Sequence, residues 1–450
     1  MRIIIIGAGK VGYKLAEMLT YRGHDVIVIE QDPARHRIIE DNLDVQAVCA
    51  DGTSPAVLQD CQVARADILI AVTENDEMNI LATLFAKRMG ARRTVARIRN
   101  PEYLYLTDKG LEKALPLDFL DAVINPDYVT ATAVAELIEV PEALESEFYA
   151  GGRIQLLQLR LPAHSPAINK RLRELPSPNP YLIVAVQRKD KIIIPRGDDY
   201  LLAEDRIFVI APSRQMEHVE HLLGQERLRV QRVVILGGTR AAYYLARMLE
   251  DKKIELKIIE KDPRQCEVLS ERLPNAMIIQ GDGSDISLLK EEDIGRADVF
   301  AALTGDDKAN LLVSLLAKHL GAKKVITKVG RSDYAGLMEE VGVDVAISPR
   351  LLTAAAILKM VMGGEIVALS LVGEDKAEMF ELIVPRGFRA AGKPLKQVNF
   401  PRQAVIGAIA RDKEVIVPGG NDAVMPGDHV IVFALPKAVA SVQHFFGSNE

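Results

Sequence analysis

Cysteine and tryptophan are scarce in this sequence, which has three cysteines and no tryptophan among 450 residues. Cys49, Cys61 and Cys266 fall in neither a paired nor a metal-ligand spacing. This excludes a disulfide framework as the source of stability and indicates a reducing compartment. We therefore expect a cytoplasmic protein.

Long apolar runs are also missing. The chain starts directly with an apolar strand pattern at 3–6, without the charged segment and cleavage site of a signal peptide. The most apolar later stretch, 351–372, is interrupted by Lys359 and Glu365. We expect no membrane span, so any link to a membrane goes through a partner.

The sequence has no surplus of positive charge, since its net charge is −6 and its pI is near 5.9. A protein that mainly holds nucleic acid or an anionic membrane needs an excess of Lys and Arg. We therefore expect no nucleic-acid partner.

The chain repeats itself, and at 450 residues with 48% hydrophobic content it is long enough for several cores. The segment ADILIAVT at 66–73 recurs as ADVFAALT at 297–304, and Pro195 begins a glycine- and aspartate-containing turn that recurs from Pro418. The unit is composite, with a long module followed by a short one. The predicted domains are 1–124, 144–225, 229–349 and 367–447.

Strand and helix patterns alternate in the long modules, which is typical of a parallel sheet with helical crossovers. The short modules contain extended runs punctuated by Pro and Gly and end in a helix. The predicted fold class is α/β, with two Rossmann-like doubly wound domains, each followed by a small α+β domain.

A G-x-G-x-x-G loop at 7–12 leaves the first strand and opens the first helix, and Glu30 ends the second strand. In this context the glycines permit a tight turn, pyrophosphate approach and close helix packing, while the acid binds ribose and disfavours a 2′-phosphate. NAD or NADH is the expected ligand. Further candidates follow later strands, although Asp51 and Asn75 are equally typical of turns and caps and Arg97 of an ion pair. The candidate residues are Gly7, Ala8, Gly9, Lys10, Val11, Gly12, Glu30, Asp51, Gly52, Thr53, Thr73, Glu74, Asn75 and Arg97.

The second half keeps the scaffold but changes the loop, because Thr239 replaces Gly9 and Ala242 replaces Gly12. A Cβ at position 239 should crowd a pyrophosphate. We expect weaker or different binding there, with ATP or ADP as candidate ligands and Arg240 as a source of charge. The candidate residues are Gly237, Gly238, Thr239, Arg240, Ala241, Glu260, Asp282, Thr304 and Lys328.

No catalytic arrangement accompanies these loops. The sequence offers no Ser-His-Asp set, zinc spacing or Walker loop, and its eight histidines are scattered. A nucleotide-binding regulator without enzymatic activity is the favoured interpretation. An NAD-dependent oxidoreductase and an NADH-sensing transcriptional repressor stay open as alternatives, the latter needing a helix-turn-helix that is not evident.

The glycine loop, Glu30, the DGT at 51–53, the TENDEMN at 73–79 and the order of long and short modules resemble the Trk potassium-uptake regulators of bacteria and archaea. These proteins carry tandem domains that regulate potassium conductance. The resemblance implies a homotetrameric ring, peripheral on the inner face of the cell membrane, that binds NAD, NADH, ATP or ADP and gates a membrane-embedded TrkH-type potassium channel subunit.

Overall fold

The structure is a computed structural model that describes residues 1–107, 110–113, 118–175, 181–188, 191–225, 228–361, 366–372 and 377–447. The chain divides into two compact units. The Rossmann unit comprises Met1–Thr132 with Val234–Val361, and the small-domain unit comprises Ala133–Val233 with Met362–Glu450. No helix in the described ranges has the length and apolar character needed to cross a bilayer.

The first half of the Rossmann unit is built on a six-stranded sheet in the order β3-β2-β1-β4-β5-β8, with parallel pairing throughout. Its central strand is wholly apolar from Ile3 to Ile6 and buried, as a strand covered on both faces must be. Its elements are β1 (Arg2–Ile6), α1 (Lys10–Tyr21), β2 (Asp25–Glu30), α2 (Pro33–Asn42), β3 (Gln46–Cys49), α3 (Pro55–Asp60), β4 (Ile68–Ala71), α4 (Asp76–Arg88), β5 (Thr94–Arg97), a hairpin of β6 (Leu104–Thr107) and β7 (Gly110–Lys113), β8 (Ala122–Ile124) and α5 (Pro126–Glu139).

The second half repeats this architecture in the order β16-β15-β14-β17-β18-β19. A short helix, α11, stands where the first half has the hairpin. Its elements are β14 (Arg232–Leu236), α7 (Arg240–Leu249), β15 (Glu255–Glu260), α8 (Pro263–Arg272), β16 (Ala276–Gln280), α9 (Ile286–Glu291), β17 (Val299–Ala302), α10 (Asp307–Leu320), β18 (Lys324–Lys328), α11 (Ala335–Glu340), β19 (Val345–Ile347) and α12 (Pro349–Val361).

The last helix of each half contacts the other half within the Rossmann unit. Helix α12 packs on α1, and the Arg93 guanidinium donates to the carbonyls of Met360 and Val361 at 2.8 and 3.0 Å. Tyr128 of α5 meets Tyr244 of α7 edge to face, with ring centroids 5.7 Å apart. Because α1 and α7 are the helices that follow the glycine loops, the two halves touch next to the candidate sites.

The small-domain unit contains two five-stranded antiparallel sheets, in the orders β12-β11-β13-β10-β9 and β20-β21-β24-β22-β23. They share an apolar core in which the rings of Phe208 and Phe433 lie 5.9 Å apart. The predicted α/β fold class is confirmed. The elements are β9 (Ala143–Tyr149), β10 (Ile154–Arg160), β11 (Leu182–Arg188), β12 (Lys191–Ile193), β13 (Arg206–Pro212), α6 (Met216–Leu222), β20 (Ile366–Val372), β21 (Ala377–Ile383), β22 (Ala404–Arg411), β23 (Glu414–Ile416), β24 (His429–Ala434) and α13 (Val439–Phe446).

Candidate nucleotide-binding site

The three glycines of the first loop have different physical roles. Gly7 has a φ of +98°, a conformation that side chains strain, and a Cβ there would lie 3.0 Å from the Thr73 backbone nitrogen. A Cβ on Gly12 would lie 1.9 Å from the Gly7 carbonyl oxygen, so this glycine permits α1 to pack against the loop. Gly9 has ordinary backbone angles, and the nearest atom to a Cβ there would be the flexible end of Arg35, at 3.9 Å. Gly9 is therefore the position at which a ligand has room to approach.

The carboxylate of Glu30 holds the loop to the end of β2. The side chain is buried, with Oε2 accepting from the Ala8 amide at 2.5 Å and Oε1 accepting from the Asp32 amide at 2.9 Å. Each oxygen retains a lone pair that a ribose hydroxyl can use. The acid that is predicted to bind ribose therefore also has a structural role in the fold. Next to it, Lys10 is exposed at the start of α1 and Val11 is buried in the helix interface.

The DGT segment at 51–53 forms a turn after β3, at the edge of the sheet where the parallel strands end and where the glycine loop also lies. The Asp51 carboxylate accepts from the amide and the hydroxyl of Thr53, both at 2.8 Å. A Cβ on Gly52 would lie 2.3 Å from the Ile6 side chain, so this glycine is required for packing. Asp51 and Thr53 lie at the surface and can contact a ligand, whereas Gly52 is buried beneath them.

Asn79 organises the next part of the edge and was not among the sequence candidates. Its fully buried side chain accepts from the amide and hydroxyl of Thr73 at 2.9 and 2.7 Å, and donates to the carbonyls of Thr73 and Arg97 at 3.1 and 2.8 Å. One amide thus joins the ends of β4 and β5. The available sequence signal is the recurrence of an asparagine at 79 and 310.

Arg97 and the residues after Thr73 complete this edge. The Arg97 guanidinium donates to the Thr73 carbonyl at 2.9 Å, and burial lowers its pKa below the ordinary value. Its Nε is buried without a hydrogen-bond partner among the described residues. Asn75 caps α4 by accepting from the Met78 amide at 2.7 Å, and Glu74 is exposed. A half-buried cation with an unused donor is the feature of this edge most suited to an anion.

The second half reproduces the bonds made by Glu30, Asp51 and Asn79. Glu260 accepts from the Gly238 amide at 2.5 Å and the Asp262 amide at 2.8 Å, and Asn310 accepts from the Thr304 amide at 3.0 Å and donates to the Lys328 carbonyl at 2.9 Å. Gly237 has a φ of +95°. Asp282 accepts from the Ser284 amide at 2.9 Å, and this bond lowers the pKa of its carboxyl. These bonds belong to the scaffold of both halves.

The loop itself differs in the second half. Thr239 caps α7 with its own hydroxyl, and Ala241 is buried. The Arg240 guanidinium donates to the Arg99 carbonyl of the first half at 3.2 Å. Lys328 is half-buried, and burial lowers the pKa of its ammonium while Asp127 acts in the opposite direction. Charge from the two halves therefore converges near the second loop.

Within the described ranges, no group of three or more His, Cys, Asp or Glu side chains could hold a metal ion. The polar groups at this edge of the first sheet are backbone amides and one buried acid at the glycine loop, with one half-buried arginine at the end of β5. This donor set suits a phosphate and a ribose.

Two Rossmann-like modules alternate with two small modules built on antiparallel sheets, and this order defines the class of protein. The TrkA-N domain model matches residues 3–126 and 233–349, and the TrkA-C domain model matches residues 156–224 and 379–447. The chain belongs to the TrkA family of Trk potassium-uptake proteins, which confirms the resemblance seen in the sequence.

Curated relatives match over the full length. The Trk system potassium uptake protein TrkA homolog 2 of Methanosarcina mazei is 38% identical, with 99% of this chain and 100% of the relative covered. The TrkA homolog of Archaeoglobus fulgidus is 37% identical, with 99% and 100% covered, and TrkA of Halomonas elongata is 36% identical, with 99% and 98% covered. The arrangement of domains is therefore shared with these proteins from end to end.

Solved structures show the same fold. The GsuK channel bound to NAD aligns with a TM-score of 0.62 at 17% identity, covering 99% of this chain and 78% of the channel chain. GsuK bound to ADP aligns with a TM-score of 0.50 at 14% identity, covering 80% and 69%. At these identities the likeness establishes the fold alone.

Proposed function

We propose that this protein is a regulatory subunit that binds an adenine nucleotide at the loop 7–12 and, through that binding, gates a membrane-embedded TrkH-type potassium channel subunit. Membership of the TrkA family along the whole chain supports the potassium-uptake role. The observation that carries the nucleotide role is the glycine loop, whose helix has no side-chain cap at Gly9 among the described residues and whose Ala8 amide bonds to the buried Glu30, with the half-buried Arg97 at the end of β5.

NAD or NADH is the proposed ligand of the first loop. The Glu30 carboxylate would share its free lone pairs with ribose hydroxyls and repel a 2′-phosphate, which favours NAD over NADP. ATP and ADP have the same adenosine and phosphate groups and are expected to compete for this loop. The relatedness in fold to GsuK, which has been solved with NAD and with ADP, is in keeping with these ligands.

The protein is proposed to act by binding and without turnover, as a homotetramer held at the cytoplasmic face of the membrane by its partner. A nucleotide shifts a ring between two states only if it binds one state more tightly. Nucleotide affinity and channel opening are then reciprocally linked, so the channel-bound form must show altered nucleotide affinity.

Titration of the purified chain with NADH, NAD, ATP and ADP tests this proposal, with calorimetry and light scattering followed together. Binding without consumption of NADH, on a stable tetramer that co-purifies with the channel subunit, is the expected result. Failure to bind any of the four nucleotides, or steady oxidation of NADH with a substrate, would contradict it.

A further inference from the structure

The two glycine loops have matching backbones but different neighbours at the position that faces a phosphate. In the first loop, the nearest atom to a Cβ on Gly9 would be the Arg35 Nη1, at 3.9 Å. No side chain in the described part of the chain caps α1 there. The amides at the start of α1 are therefore accessible, with a guanidinium beside them.

Arg35 is suited to an anion at this position. It is the third residue of α2, its side chain is 48% exposed, and its ion pair with Asp32 is long, at 3.7 Å. A guanidinium donates two parallel hydrogen bonds to a phosphate, and an exposed ion pair of this length competes weakly for it. Arg35 can thus turn toward a phosphate at low cost.

The second loop is covered by its own side chains. The Thr239 hydroxyl donates to the Leu303 carbonyl at 3.0 Å and accepts from the Ala242 amide at 3.4 Å. Gln265, which occupies the third position of α8 as Arg35 does in α2, donates to the Gly238 carbonyl at 2.7 Å. Thr239 and Gln265, which replace Gly9 and Arg35, thus bond to the protein's own backbone.

We propose that Arg35 is a phosphate-binding residue of the first loop and that Thr239 with Gln265 closes the second loop, so that each chain binds one nucleotide phosphate group. This inference rests on the proposed function, because it assumes that the first loop binds a nucleotide. Gly9 and Arg35 leave the first loop accessible to a phosphate. At the equivalent positions of the second loop, Thr239 and Gln265 bond to the protein's own backbone.

The test is calorimetric titration of the full-length protein with NADH and, separately, with ATP, to count the sites per chain. One site is expected. Arg35→Gln, which installs the residue of the second half, is expected to weaken NADH binding about tenfold to a hundredfold, the range for a charged hydrogen bond to a phosphate. Arg35→Lys should recover part of this loss, because it restores the charge without the fork.

Arg37→Gln is the matched control, since it removes the same charge from an exposed position on the same helix. It should leave affinity unchanged. A loss equal to that of Arg35→Gln would mean that the net charge of α2 matters and not the position of Arg35, which would overturn the assignment.

A second pair of variants locates the site. Gly9→Asp meets only the flexible end of Arg35 and should abolish binding, whereas Thr239→Asp preserves a helix cap and should leave binding unchanged. Melting temperatures within a few degrees of the wild type show that both variants are folded. Two sites in the wild type, or a site lost in Thr239→Asp, would overturn only this inference. No binding of any nucleotide to the wild type would refute the proposed function and this inference with it.

Discussion

Replacing Asn79 with Ala tests separately what its contacts at the ends of β4 and β5 contribute to folding and to ligand binding. The repeat supplies a matched control in Asn310. The Asn79 amide makes four hydrogen bonds, between 2.7 and 3.1 Å, and is 0% exposed. Asn310 makes four equivalent bonds, between 2.6 and 3.2 Å, and is also 0% exposed. The two substitutions therefore delete the same set of contacts in the two halves.

The expected cost is the same for both variants. A net contribution of about 0.5–1.5 kcal/mol for each of the four hydrogen bonds gives a loss of roughly 2–6 kcal/mol, and a cavity adds to it. In a domain of this size about 1 kcal/mol shifts the melting temperature by roughly 2–4 °C, so each variant should melt about 4–24 °C lower in the transition that contains the Rossmann unit. Differential scanning calorimetry measures this shift.

The two variants should differ in NADH affinity. In Asn79→Ala, the carbonyls of Thr73 and Arg97 lose the donor that they share. The ends of β4 and β5 at the first site are then held less firmly. We expect Asn79→Ala to weaken NADH binding about tenfold or more, as positioning errors near a site do, and Asn310→Ala to leave it within about twofold. Equal losses of affinity in both variants would refute the reasoning, because they would show that general destabilisation, and not the first edge, governs binding.

Three further results are expected. Gly12→Ala places a Cβ 1.9 Å from the Gly7 carbonyl oxygen and should destabilise the protein by about 1–3 kcal/mol or more in urea unfolding, and normal stability would disprove this packing role. Arg411→Ala leaves the carboxylate of Asp428, 2% exposed, without its cation and should cost about 3–5 kcal/mol by the same measurement. Hydrogen bonds from the Ala309 and Lys308 amides lower the pKa of Asp306, so its contribution is present above the ordinary pKa and lost as pH falls through the lowered one. Asp306→Asn, which keeps the cap, should therefore lose less stability than the wild type as the pH falls below the ordinary carboxyl pKa; an equal loss would argue against it.

The sequence predicts the architecture because strands, helix starts and the repeat each have a recognisable local residue pattern. Apolar runs such as 3–6 predict buried strands, Asp32 followed by Pro33 predicts a helix start, and the duplicated pattern doubles the evidence for each element. The hairpin at 104–113 has no counterpart in the second half, where Ala335–Glu340 is helical. A repeat cannot predict the place where its copies diverge.

The roles within the site were less accessible to sequence reasoning, because they depend on which way a side chain points. Asn79 and Asn310 lie on the buried faces of α4 and α10, in register with alanines three and seven positions along α4 and with Val313 and Ala317 along α10. An asparagine on an apolar helix face that recurs at the same position in both copies is a usable signal for a buried hub. Arg35 carries no such signal, since an exposed arginine on a helix is ordinary until its distance from Gly9 is known.

Glu30 has a structural role that does not depend on a ligand, since its bonds recur at Glu260 in the second half. Glu260 makes the same two bonds as Glu30, yet it follows a loop whose helix start is already capped by Thr239. An acid at the end of the second strand is thus retained where it secures the glycine loop, whether or not a ribose binds it. A glutamate at this position is consequently weak evidence for a dinucleotide by itself, and the residues that differ between the copies are the better guide. Bonds present in both halves report what the fold requires, whereas the phosphate contacts proposed for the first half lie at positions 9 and 35, where the two halves differ.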